Sequence, residues 1–108
     1  MNQRMCDELV AGLLTILPAQ MVQIVLYGST ARGTASSESD IDIALFVTDR
    51  LTARQEDQLS DLIVDLNLKY NKVFSIVDID QKTYMKWKRV SPFYQNVDRE
   101  GIVLWKAA

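Results

Sequence analysis

Gly28-Ser29-Thr30-Ala31-Arg32-Gly33-Thr34-Ala35-Ser36-Ser37-Glu38-Ser39-Asp40-Ile41-Asp42 is the stretch on which the reading of this chain turns. Upstream of it, Met21-Val-Gln-Ile-Val-Leu-Tyr27 is β-branched and mostly apolar, which predicts a strand that Gly28-Ser29 breaks. Downstream, Ile41 to Val47 predicts a second strand with two carboxylates at its entrance. The intervening segment from Thr30 to Ser39 is small, polar and turn-rich. Alternate residues of a strand point to one side, so Asp40 and Asp42 are expected to present both carboxylates to one point. Such a point suits Mg²⁺, which takes hard oxygen ligands and commonly uses one or two protein carboxylates plus phosphates and water. A glycine at the end of the preceding strand lets backbone amides approach phosphate oxygens, and Ser29 adds a hydroxyl.

Outward from this centre the pattern alternates. Met5, Leu9, Leu13 and Leu17, with Val10 and Leu14 beside them, form the stripe of an amphipathic helix over residues 2–17 that Pro18 ends. Thr52-x-x-Gln55 is a capping box, and Leu59, Leu62, Ile63, Leu66 and Tyr70 give the apolar face of the helix it opens. A third strand is expected from Val73 to Ile79. A strand–helix–strand unit of this length suits a right-handed crossover between parallel strands. Gln81 to Arg89 is expected to be a short helix, Ser91-Pro92 to open another, and Gly101 to stop it. Ile102 to Trp105 is taken as a short apolar tail. The fold class expected is α/β (α+β), a mixed β-sheet of three or more strands with helices packed against it, as a single domain over residues 1–108.

Composition narrows the chemistry. At 48% hydrophobic and 24% charged, the 108-residue chain is too apolar for disorder. Its apolar runs fall far short of the roughly 20 residues a membrane span requires, and no basic start precedes an apolar core as in a secretory leader. A cytoplasmic location is the expectation. Cys6 is the single cysteine and is read as a packing residue. There is no histidine, so a metal would be held by oxygen. A net charge of −2 argues against wholesale coating of nucleic acid, and direct nucleic-acid binding is not expected.

Gly28-Ser29-x-Ala31-Arg32-Gly33 followed by Ser39-Asp40-Ile41-Asp42 resembles the signature of the DNA-polymerase-β-like nucleotidyltransferase superfamily. The small size is similar to that of the minimal nucleotidyltransferases (MNT), whose members resemble antitoxins encoded beside HEPN-domain toxins. The resemblance implies a single small nucleotidyltransferase-type domain that transfers AMP from ATP, with Mg²⁺, to a tyrosine of a HEPN-type RNase toxin. It carries Asp40 and Asp42 over as catalytic and metal-ligating residues, and Gly28 and Ser29 as nucleotide-binding. Arg32 either contacts a phosphate or closes the loop, and Ser39 shapes the turn before Asp40.

The superfamily generally completes its site with a third carboxylate on a later strand, which accepts the proton of the attacking hydroxyl. Asp78 and Asp80 are the acids available. If the third strand runs parallel to the second, five residues of strand cover roughly 16 Å. That puts Asp78 out of reach and aligns Ser75 with the missing acid. A catalytically weak antitoxin that neutralises its toxin by binding is therefore one alternative. A small-molecule nucleotidyltransferase is another, although such enzymes normally add a domain that closes over the acceptor. Lys82, Lys86, Lys88 and Arg89, interleaved with Tyr84 and Trp87, form a basic, aromatic segment. It could bind RNA or an acidic protein, or be a solvated helix face, with Trp87, Phe93, Tyr94 and Trp105 packed under the last helices.

Overall fold

A computed structural model describes residues 1–36 and 39–108. Of the expected polar loop between Thr30 and Ser39, residues 37 and 38 lie outside the described residues. The first helix, α1 (Gln3–Ile16), opens where the Asn2 side chain accepts a 2.9 Å hydrogen bond from the Met5 amide. Its stripe buries Met5, Leu9 and Leu13. After Pro18 the chain enters β1 (Met21–Tyr27) and passes through one helical turn, α2 (Gly28–Arg32), into β2 (Ile41–Val47). Glycine, serine and threonine are weak helix formers, so sequence alone did not indicate α2.

The capping box at Thr52 forms in both directions: Thr52 N–H donates to Gln55 Oε1 at 2.9 Å, and Gln55 N–H donates to Thr52 Oγ1 at 3.1 Å. It starts α3 (Ala53–Tyr70), which Asn71 ends in the left-handed conformation at φ 51°. Then come β3 (Phe74–Asp80), α4 (Gln81–Trp87), α5 (Pro92–Glu100) and β4 (Ile102–Lys106). Asp80 caps α4, accepting from the Lys82 amide, and Ser91 caps α5, accepting from the Tyr94 amide.

The four strands form one mixed sheet in the order β3-β2-β1-β4. β1 is antiparallel to both β2 and β4, and β2 is parallel to β3. The crossover through α3 therefore joins parallel neighbours, as its length requires. The expected apolar tail from Ile102 to Trp105 is instead the edge strand β4, in which Leu26 pairs with Ile102 and Ile24 with Trp105. Backbone pairing to β1 holds this segment together with Leu104 and Trp105, which pack against the core, while Ile102 and Val103 remain about half exposed.

Successive side chains divide the core into two layers. Ile41, Ile43, Leu45 and Val47 of β2 join Ile24 and Leu26 of β1 in the larger layer, beneath α1 and α3. Ala44 and Phe46 face the other way with Val25 and Ile79, and are covered by Tyr84 of α4 and Val97 of α5. Tyr84 meets Phe46 edge to face at 4.8 Å and donates a 2.7 Å hydrogen bond to Asp98. It is thus a core residue within the basic segment, whereas Trp87 is 48% exposed and does not pack beneath the helices.

Candidate active site

Tyr27 and Asp42 face each other across the β1–β2 ladder. The chain leaves β1 at Gly28 with φ +75°, a conformation open to glycine at little cost. A Cβ placed on Gly28 would stand 2.4 Å from Asp42 Oδ2. The backbone at the head of α2 is therefore in direct contact with the Asp42 carboxylate, and no larger residue fits there unless that carboxylate moves.

Tyr27, at the N-cap of α2, makes no side-chain capping bond to it. The amides of a first helical turn carry partial positive charge and are donors suited to phosphate oxygens. The turn is closed by Gly33, also at φ +75°, and by a 3.0 Å bond from the Thr34 amide to the Ser29 carbonyl. Thr30 Oγ1 reaches the Asp40 carbonyl at 3.5 Å, joining α2 to the residue that leads into β2.

Asp40 and Asp42 are two residues apart where the chain enters β2. Burial, followed by the Asp40 charge, raises the Asp42 carboxyl above its ordinary value, with Arg32 opposing. The neighbouring Tyr27 phenol is also raised, first by burial and then by Asp42. Two carboxylates two residues apart, beside uncapped amides, form a site that a divalent cation would neutralise. Asp40 and Asp42 could hold one such ion.

No group of three or more His, Cys, Asp or Glu placed to hold a metal occurs among the described residues. The register explains why. Asp42 pairs with Ser75 across the parallel β2–β3 ladder, whereas Asp78 pairs with Leu45 and Asp80 with Val47. Both acids are an odd number of residues beyond Ser75 and so alternate to the other face. Asp78 is exposed, and Asp80 is committed to capping α4. Ser75 stands where the expected third acid would be.

Arg32 is bound from outside the loop: its Nη1 lies 2.8 Å from Glu100 Oε2 at the end of α5. Phe93, at the start of α5, packs edge to face on Tyr27 at 5.6 Å. Tyr27 and Glu100 were not among the residues singled out from sequence, and Phe93 was named there only as an aromatic able to pack under the last helices. Position next to Gly28 was the one available signal for Tyr27, and there was none for residues on α5. A cavity of about 400 Å³ opens beside Met5, Thr30, Ile41 and Lys72, but none of Gly28, Ser29, Asp40 or Asp42 lines it.

Residues 15–107 match the family model described as polymerase beta, nucleotidyltransferase. The chain belongs to this nucleotidyltransferase family. A Methanocaldococcus jannaschii protein provisionally named a protein adenylyltransferase is 35% identical over 96% of this nucleotidyltransferase and 98% of its own length. A chain from a toxin–antitoxin complex solved with AMP-PNP is 25% identical with a TM-score of 0.65, over 94% of this chain and 73% of that one. The structure of a tri-AMPylated Shewanella oneidensis HEPN toxin in complex with MNT antitoxin contains a chain of the same fold. There the TM-score is 0.64 at 23% identity, covering 99% of this chain and 74% of that one. The nucleotidyltransferase-type fold expected from the motif is the fold present, and the enzyme class is that of the family.

Proposed function

We propose that residues 1–108 act as one minimal nucleotidyltransferase domain, an antitoxin that transfers AMP from ATP to a tyrosine hydroxyl of a HEPN-type RNase toxin in the cytoplasm. The observation that carries this reading is the contact between Gly28 and the Asp42 carboxylate, which joins the phosphate-facing turn to the acid pair. The M. jannaschii relative's name and the toxin–antitoxin setting of the similar solved structures support it.

In this reading Asp40 and Asp42 hold Mg²⁺, and the turn at Gly28 and Ser29 holds the outer phosphates through backbone amides and the serine hydroxyl. Arg32, paired with Glu100, is near enough to oppose the rise of the Asp42 carboxyl and would add positive charge at the triphosphate. Mg²⁺, when bound, would neutralise charge on the phosphates and on departing pyrophosphate. The tyrosine oxygen forms the new bond to the α-phosphorus as the bond to the bridging oxygen of pyrophosphate breaks, and the phenolic proton passes to solvent.

Ser75 bears on the choice of acceptor. A serine at that position cannot act as the carboxylate base. A phenol ionises near pH ~10, whereas water, a guide to aliphatic hydroxyls, does so near ~16. A site without a third acid is therefore better matched to tyrosine than to a sugar hydroxyl.

Ser75 also favours a second reading, in which the domain neutralises its toxin by binding and transfers AMP slowly or not at all. Intact mass of a HEPN toxin incubated with this protein, ATP and Mg²⁺ separates the two. Addition of one or more AMP groups, absent with Asp40→Asn, is the expected result. A stable neutralised complex with unchanged mass would leave only the binding reading.

A further inference from the structure

We infer that the exposed surface from α4 to the start of α5 is the docking site for an acidic protein surface, and that it guides the acceptor to Asp42; the second half rests on the function proposed above. Lys82, Lys86, Lys88 and Arg89 fall within eight residues of a chain whose net charge is −2. Among the described residues, none of the four forms an ion pair. Lys86 lies over the Trp87 ring at 5.2 Å.

Between the cations the surface is apolar: Met85 is 54% exposed, Trp87 48% and Val90 65%. Charged residues around exposed large apolar side chains are the anatomy of a protein interface, with a wet rim and an anchor. The aliphatic members decide against a nucleic acid. Methionine and valine neither contact phosphate nor offer a ring for base stacking, so an RNA site would leave Met85 and Val90 without a role. Charge complementarity therefore selects a carboxylate-rich protein partner.

The patch is also aimed. It continues through Ser91 and Pro92 to Phe93, whose ring meets Tyr27, and Tyr27 pairs with Asp42. A polypeptide seated on this surface lies on the side of the sheet to which the acid pair points.

The test uses a fluorescently labelled random copolymer of glutamate and tyrosine, followed by anisotropy, with MgATP affinity measured in parallel. The wild-type protein is expected to bind the copolymer. K86E/R89E is expected to weaken that binding roughly tenfold or more, and raising salt should weaken it as well. Trp87→Ala is expected to weaken it with little change in salt dependence. At fixed salt, MgATP affinity should be unchanged in both variants.

Copolymer binding that is indifferent to charge reversal overturns the proposal. So does tighter binding of oligouridylate, which would make this an RNA surface, or wild-type self-association abolished by K86E/R89E, which would make the partner a second copy. The D40N/D42N variant separates this proposal from the acid-site reading. It should bind the copolymer normally and lose MgATP, and retained MgATP affinity would sink the acid site while leaving the docking surface standing.

Discussion

Ser75 occupies the position in the parallel ladder directly opposite Asp42, so the β3 residue nearest the acid pair carries a hydroxyl where a carboxylate would complete a three-acid site. Ser75→Asp is therefore expected to raise AMP transfer in Mg²⁺ by roughly tenfold or more, since a positioned general base contributes about 10²–10⁴-fold. Without divalent cation the same change adds a third negative charge and should lower the melting temperature, with Mg²⁺ restoring it. Transfer and Mg²⁺-dependent stabilisation both unchanged by the substitution would show that Ser75 does not face the site.

The raised Asp42 carboxyl fixes a sign for pH dependence. Folding holds the Asp42 proton more tightly than the unfolded chain does, through burial and the Asp40 charge. Its contribution to metal-free stability is fully present below the ordinary carboxylate value and is lost as pH rises through the raised one. Metal-free protein should lose stability over that window, and Asp42→Asn should flatten the change. Binding of Mg²⁺ requires the ionised pair and should strengthen over the same interval. Denaturant titrations across the window, with and without Mg²⁺, read both.

Gly28→Ala tests the contact that joins the turn to the acid. At φ +75° an L side chain costs about 1–2 kcal/mol, and its methyl would overlap Asp42 Oδ2. Stability should fall by about that amount, and MgATP affinity should fall more than tenfold because the carboxylate must move. Calorimetric titration of MgATP, beside a chemical melt, separates the two losses.

Tyr84 is the test of the smaller core layer. Its phenol is pushed up to about 12, by burial first and the Asp98 hydrogen bond second. Tyr84→Phe keeps the ring on Phe46 and leaves the exposed Asp98 to water, so a loss of about 1 kcal/mol is expected. Tyr84→Ala removes the ring as well and should cost about 3–5 kcal/mol. Equal losses in the two variants would mean that packing contributes little here.

Arg32 and Glu100 form a surface pair, which contributes at most about 1 kcal/mol. Glu100→Gln should leave the melting temperature nearly unchanged and free Arg32. If Arg32 serves the phosphates, Arg32→Ala should weaken MgATP several-fold while Glu100→Gln does not. Equal weakening in both would make the pair a brace for α5.

How much of this was legible in the sequence depended on range. The turn between β1 and β2 is encoded within residues 28–42, and the α3 crossover by its own caps and stripe, so the parallel register and the position of Ser75 followed without coordinates. β4 did not follow, because its five residues pair with a strand far upstream and only Leu104 and Trp105 reach the core. The helical turn α2 opens on glycine, serine and threonine, which do not favour helix, and depends on the contacts around it. Tyr84 was unreadable for a related reason: surrounded by lysines in sequence, it points inward while they point out. Phe93 and Glu100 reach the site only because α5 folds back across the sheet.

The sheet's two layers differ in what they can tolerate. α1 and α3 cover the larger one, whereas the acid pair opens on the side covered by α4 and α5. Units with less buried apolar surface open at lower free energy than the whole domain. The leaf of α4 and α5 can then change its exposed side chains while the strands that carry Asp42 and Gly28 keep their places. In such a design one scaffold can be refitted to a new acceptor by rewriting exposed side chains, such as Met85, Trp87 and Val90, on which little of its cohesion depends.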